Sequence, residues 1–253
     1  MRFTKHIPNL LTLGNLFCGT IATILAVQGE YVSAAFFVVL GILFDFFDGF
    51  VARLLKVSDE LGTQLDSLAD MVTSGVVPGI VMYNLLYEST FSSLDAELIH
   101  KSVLLPISID DSSMTWVSYL GLILTLAACY RLAKFNIDTR QTDSFIGLPT
   151  PAMSLFVISL PLIVEYSNYS LITDLVQSTS FLIIVTLALG YLMNAELPLF
   201  SLKFKNYRVK ENIQKYSFLL GSVFLIGTLK FVSIPVIIIL YILNSIIGNY
   251  KKL

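Results

Sequence analysis

Apolar runs long enough to cross a bilayer return along the whole chain, from Pro8 to Gly248, and they leave it very few possible folds. Eight are read: Pro8–Gln28, Tyr31–Leu55, Leu61–Tyr87, Met114–Phe135, Leu148–Tyr166, Val176–Met193, Tyr216–Lys230 and Phe231–Gly248. Inside the hydrocarbon every backbone N–H and C=O must be paired within the protein, so only helices and closed barrels span it. Barrel strands would alternate apolar and polar residues, and these runs do not. A chain 55% hydrophobic and 13% charged is also too apolar for a soluble domain of its length. The expected fold is all-α, a polytopic membrane bundle of about eight helices. Residues 1–9 are basic but precede no small-residue cleavage site, so the first span is expected to be retained.

Basic residues orient the bundle. With the N-terminus inside, the inner ends and loops hold Arg2, Lys5, Arg53, Lys56, Arg131, Lys134, Arg140, Lys203, Lys205, Arg208, Lys210, Lys215, Lys251 and Lys252. Only Lys101 and Lys230 fall outside. Both termini are therefore expected in the cytoplasm, in a plasma membrane. The net charge of −2 identifies no partner, because the two signs are segregated by side, and no nucleic acid is expected. Cys18 and Cys129 lie within spans without Cys-x-x-Cys spacing, which fits packing residues better than a disulfide or a zinc site. The long loop Glu88–Ser113 is expected to face outward, and the basic loop Phe200–Lys215 inward, where it either meets anionic headgroups or serves topology alone. Gly75, Pro78 and Gly79 predict a bend inside the third span. Ser58, Asp59 and Glu60 predict that its helix begins near Asp59.

Against this apolar background, Asp45, Asp48, Asp66 and Asp70 stand out. Asp45 and Asp48 are three apart and share a face of the second helix; Asp66 and Asp70 are four apart and share a face of the third. The two helices form a hairpin with Arg53 and Lys56 near its tip. Asp48 lies about 7–8 Å of rise from Arg53, and Asp66 about 9 Å from Glu60, so the two pairs sit at matched depth. An ionised side chain at mid-membrane costs about 2.5–3.5 kcal/mol on insertion scales, and less at this shallower depth. Four facing carboxylates still repel, and Arg53 alone does not neutralise them. Either several are protonated or divalent cations lie between them. Carboxylates without His or Cys suit Mg²⁺, Mn²⁺ or Ca²⁺. Four can hold two ions about 3.5–4 Å apart, a device for phosphoryl displacement. Gly49, Ala52 and Gly62 would then clear the helix surface for a phosphorylated ligand.

The pattern Asp45-x2-Asp48-Gly49-x2-Ala52-Arg53-x8-Gly62-x3-Asp66-x3-Asp70 resembles the signature of the CDP-alcohol phosphotransferases at every fixed position. That resemblance implies a six-helix catalytic core, here residues 1–195, with 196–253 adding a basic loop and two further helices. It also implies a homodimer, two divalent ions (Mg²⁺ or Mn²⁺), and transfer from a CDP-linked lipid to an alcohol with release of CMP. By the same resemblance Asp45 and Asp66 are ligands shared by both ions, Asp48 completes one site, and Asp70 completes the other and serves as general base. Arg53 is implied as a diphosphate contact, Gly49 and Gly62 as positions where nucleotide lies against backbone, and Ala52 as part of the CDP-lipid surface. The stretch Pro8-Asn9-Leu10-Leu11-Thr12 resembles the family's opening motif and makes Asn9 a nucleotide neighbour.

The acceptor is read from Arg131-Leu132-Ala133-Lys134-Phe135-Asn136 and from Gly147-Leu148-Pro149-Thr150-Pro151-Ala152. Both resemble the phosphatidylserine synthase branch, which implies CDP-diacylglycerol and L-serine as substrates. Asn15 stands where the glycerophosphate and inositol-phosphate branches carry arginine, and Lys134 replaces a usual arginine. Serine is zwitterionic, so Arg131 and Asn136 are the residues assigned to it. The competing readings are the same chemistry on glycerol 3-phosphate, inositol phosphate or choline, and a divalent-cation transporter using the same aspartates.

Overall fold

The computed structural model describes residues 6–57, 60–90, 115–138, 145–199 and 212–250. Helix α1 (Ile7–Val27) carries Pro8 in its first turn, where a missing N–H costs nothing. Gly29, with φ 77°, reverses the chain into α2 (Tyr31–Leu55). The two helices meet through small buried residues, Gly19, Ala22 and Ala26 on one side and Ala34, Ala35 and Gly41 on the other. Close backbone approach of this kind drives association where lipid is as apolar as the side chains. Helix α2 ends at Lys56, which takes the left-handed conformation (φ 53°), and the Val57 N–H closes the turn on the Ala52 carbonyl at 3.0 Å.

The third span is α3 (Glu60–Met71), a π turn at Val72–Val76, and α4 (Val77–Thr90). The expected bend thus takes a definite form. Pro78 has no N–H for the Ser74 carbonyl, and its ring crowds that group in a regular helix. The wider turn relieves this, with the Val77 N–H reaching back to the Val72 carbonyl. Neighbouring helices bond the carbonyls of the turn. The Thr125 hydroxyl donates to Gly75 O at 3.0 Å, and that of Ser154 approaches Thr73 O at 3.5 Å.

A 3₁₀ stretch (Thr115–Leu122) leads into α5 (Ile123–Ile137). After it come β1 (Phe145–Ile146), α6 (Thr150–Tyr166), α7 (Ser170–Val176), α8 (Thr179–Asn194), β2 (Pro198–Leu199), α9 (Ile213–Leu229) and α10 (Ser233–Tyr250). Among the described residues, five stretches are long and apolar enough to cross a membrane: Ile7–Val27, Tyr31–Leu55, Glu60–Thr90, Trp116–Ile137 and Lys215–Ile247. The fold is an all-α polytopic membrane bundle. Helix α6, at 17 residues, is shorter. The span expected at Val176–Met193 is α8, and the short α7 before it meets it at 68°. The run Lys215–Ile247 is continuous in hydropathy, yet the rings of Phe218 and Tyr241 lie 6.0 Å apart. On one straight helix they would be about 35 Å apart. The chain turns back at Lys230 (φ 50°), and α9 packs on α10, which packs on α6.

Strands β1 and β2 pair antiparallel, Phe145 opposite Leu199 and Ile146 opposite Pro198. They staple the connection before α6 to the one after α8, at the end of the bundle that holds the α2–α3 turn. Buried Met82, Leu86, Leu124, Met153, Leu160, Ile163, Leu182 and Met193 fill the core, while Phe17, Phe36, Phe46, Leu126 and Ile184 point outward, as lipid-facing residues do. Ser58 and Asp59, the outer loop beyond Thr90, Arg140, and the basic loop over 200–211 lie outside the described residues.

Candidate functional site

Three of the four aspartates converge. Asp45 and Asp48 from α2 and Asp66 from α3 each offer an oxygen, and the three oxygens lie within 4.8 Å of one another. Asp48 is 6% exposed, and Asp66 Oδ1 is buried with no hydrogen-bond partner among the described residues. Among those residues no Lys, Arg or His forms an ion pair with any of the four; Lys134 pairs instead with Glu196 at 3.6 Å. An orphaned carboxylate oxygen within a cluster of like charge, with no protein cation beside it, fits a hard divalent metal ion. The site residues therefore suit the metal that the donor chemistry calls for.

Helix α1 supplies the other half of the site. The Thr12 hydroxyl lies against Asp48 Oδ2 and also within 3.1 Å of Pro8 O. Asn15, fully buried, donates from Nδ2 to Asp70 Oδ1 at 3.0 Å. Asp70 is thus held one helical turn beyond Asp66 but tied to α1. From sequence, Thr12 enters only as the end of the opening motif and Asn15 only as a position that differs between branches. Their contacts join residues 36 and 55 positions apart in the chain. Their spacing of three, on the face that carries Pro8 and Gly19, was the available signal.

The residues expected to meet the CDP-lipid come together in pairs. A Cβ on Gly62 would lie 3.1 Å from Asn9 Oδ1, so Asn9 on α1 rests against α3 at the glycine. A Cβ on Gly49 would lie 3.6 Å from an Arg53 guanidinium nitrogen, so Arg53 folds back along its own helix over that glycine. Ala52, half-buried, lies one turn after Asp48. Gly49 directly follows Asp48 and Gly62 lies one turn before Asp66, so both glycines border the carboxylates.

The two acceptor candidates differ. Asn136, at the end of α5, donates to the hydroxyl of Ser67, which lies one turn before Asp70 on α3, at 2.9 Å. Arg131 is buried, 7% exposed, and donates to three carbonyls: Ile146 O at 2.9 Å, Met193 O at 2.5 Å and Gly147 O at 3.2 Å. Its planar fork clasps the β1–α6 connection to the end of α8. Gly147 makes that clasp possible. Its φ is 75°, and a Cβ there would fall 2.5 Å from Met193 O and 2.8 Å from Arg131 Nη1. Gly147→Ala is accordingly expected to lower the thermal unfolding midpoint of the detergent-solubilised protein, since left-handed backbone alone costs a non-glycine residue about 1–2 kcal/mol. An unchanged midpoint would show that the clasp does not stabilise this end of the bundle.

Comparison with known proteins agrees with this geometry. The chain is similar to a CDP-diacylglycerol–serine O-phosphatidyltransferase of Bacillus subtilis, 31% identical over 157 residues, covering 62% of this chain and 75% of that one. It is similar over more of its length to the enzyme of the same name from Helicobacter pylori, 26% identical over 242 residues, 95% of this chain and 89% of that one. An archaetidylserine synthase of Methanothermobacter thermautotrophicus is 29% identical over 166 residues, 65% of this chain and 61% of that one. Residues 5–192 match the family model described as CDP-alcohol phosphatidyltransferase, a stretch containing every aspartate of the cluster and both helices that hold it. With the hairpin of carboxylates, the flanking glycines and the α1 partners all inside that match, the chain belongs to the CDP-alcohol phosphatidyltransferase family.

Proposed function

We propose that the protein is a phosphatidylserine synthase, moving the phosphatidyl group of CDP-diacylglycerol to the hydroxyl of L-serine and releasing CMP. The observation that carries this reading is the convergence of Asp45, Asp48 and Asp66 beside Asp70, in a chain whose relatives are named for transfer to serine. Two ions, Mg²⁺ or Mn²⁺, bound by these four carboxylates would supply positive charge against the diphosphate.

The protein's own groups do the rest. Arg53, lying over Gly49, binds the diphosphate with its planar fork. Asn9 and Gly62 form the wall on which the cytidine lies. Asp70 accepts the serine hydroxyl proton on the oxygen that does not bond Asn15, as the hydroxyl oxygen forms its bond to phosphorus. The bond from that phosphorus to the bridging diphosphate oxygen breaks, and CMP leaves with the electron pair. Serine needs donors and acceptors near Asp70, which is where Asn136 stands through its bond to Ser67. Arg131 faces three backbone carbonyls, which favours Asn136 as the closer contact.

Residues 1–195 are the catalytic core in this reading, with 196–253 an addition, and the enzyme is a homodimer in the plasma membrane. Arg53, Lys56, Arg131 and Lys134 at the aspartate end support a site open to the cytoplasm. The test is CMP release by the purified protein in detergent with CDP-diacylglycerol, Mn²⁺ and one alcohol at a time. CMP formed with serine alone is expected. Faster release with glycerol 3-phosphate, inositol phosphate or choline would overturn the acceptor, and no release with any of them would overturn the reaction.

A further inference from the structure

Thr73 bonds Asn15 and not an aspartate, and it occupies the end of a short polar chain leading to Asp70. It lies within the π turn, fully buried. Its hydroxyl oxygen is 2.7 Å from Asn15 Oδ1 and 3.2 Å from the Asn15 backbone carbonyl. Both neighbours are acceptors, so the hydroxyl must be the donor. The Asp70 carboxylate only accepts, so the Asn15 NH₂ faces Asp70 Oδ1 at 3.0 Å and the amide oxygen faces the Thr73 hydroxyl, which donates to it. Turned the other way, the amide oxygen would face the Asp70 carboxylate oxygen, acceptor against acceptor.

The surroundings are shaped for this contact. A Cβ on Gly19 would collide with Thr73 Oγ1 and lie 3.0 Å from the Thr73 backbone. A Cβ on Gly41 would lie 2.9 Å from both Asn15 Oδ1 and Thr73 Cγ2. Two glycines on two different helices thus vacate the volume that Thr73 and Asn15 fill. The π turn brings Thr73 there, one residue before Ser74, whose carbonyl finds no N–H on Pro78.

We propose that Thr73 and Asn15 are positioning residues: Thr73 locks the Asn15 amide, and the amide holds one oxygen of Asp70 so that the other is presented to the acceptor hydroxyl. This rests on Asp70 being the proton acceptor of the proposed reaction. Neither residue touches substrate, and the effect belongs in turnover more than in binding.

Thr73→Val keeps the branched shape and removes only the donor. Misalignment of a reacting group by an ångström can cost about a hundredfold, so kcat is expected to fall by about 10- to 100-fold. The rate is normalised to the number of CDP-diacylglycerol-binding sites, which removes any misfolded fraction. KM for CDP-diacylglycerol and serine should stay within about twofold, since no binding group is lost. Thr73→Ser, which restores the hydroxyl, should recover most of the rate. The double variant of Thr73→Val with Asn15→Ala should be no slower than Asn15→Ala alone, because both act through one amide. Additive losses, or a kcat for Thr73→Val equal to the parent, would overturn the proposal. Asp70→Asn measured alongside separates the two ideas. An active Asp70→Asn enzyme removes the base itself, whereas an inactive one beside a fully active Thr73→Val enzyme removes only the relay.

Discussion

Asp66→Asn should give a folded protein whose turnover has dropped by about a hundredfold to a thousandfold or more, on the scale of losing a principal electrostatic contact at a reacting centre. The substitution keeps the size of the side chain and removes the charge from a carboxylate whose buried oxygen has no hydrogen-bond partner among the described residues. The same change should nearly abolish the rise in unfolding midpoint that Mn²⁺ gives the parent protein. A ligand that binds only the folded state stabilises it in proportion to its occupancy, so a lost ligand atom reads out as lost stabilisation. This second measurement needs no substrate and so tests the metal site apart from catalysis. If Asp66→Asn retained both turnover and Mn²⁺-dependent stabilisation, the cluster of Asp45, Asp48 and Asp66 would not be a metal site.

Asp70→Asn should separate binding from chemistry. The amide keeps an oxygen for the Asn15 NH₂ to bond, so packing beside α1 is preserved. In place of the free carboxylate oxygen it presents an NH₂, which takes up no proton. A loss of kcat of about 10²- to 10⁴-fold is the range for removing a positioned base. Binding of CDP-diacylglycerol, measured by calorimetry or by protection against unfolding, should change little. Parent-like turnover would remove Asp70 from its role, and loss of CDP-lipid binding would assign it to the donor substrate instead.

The parts of this molecule that repeat in sequence were legible there. Continuous apolar runs specify helical spans, and spacings of three and four specify shared faces, so the aspartate hairpin and the glycines beside it could be read directly. What could not be read depends on residues far apart in the chain. Thr12, Asn15 and Thr73 look like ordinary helix residues until α1, α2 and the π turn are packed together. Gly75, Pro78 and Gly79 announced a bend, but its form depends on donors that Thr125 and Ser154 bring from other helices. The expected span begins at Val176, at the break itself, and the short helix α7 before it is not read because Asn168, Ser170, Thr173 and Asp174 interrupt the apolar pattern there. The charge of Arg131 is legible in the sequence, but its three carbonyl partners are not, because β1 and the end of α8 bring them to it.

The π turn at Val72–Val76 also acts as a phase slip in the third span. One surplus residue turns everything before it by about 100° relative to a regular continuation of α4. The half bearing Asp66 and Asp70 is thereby freed from the azimuth that Val77, Val81 and Leu85 need to stay in the core. Deleting a single residue between Met71 and Val77 would bring the two halves back into step, and either the acids or the core residues would then have to face lipid.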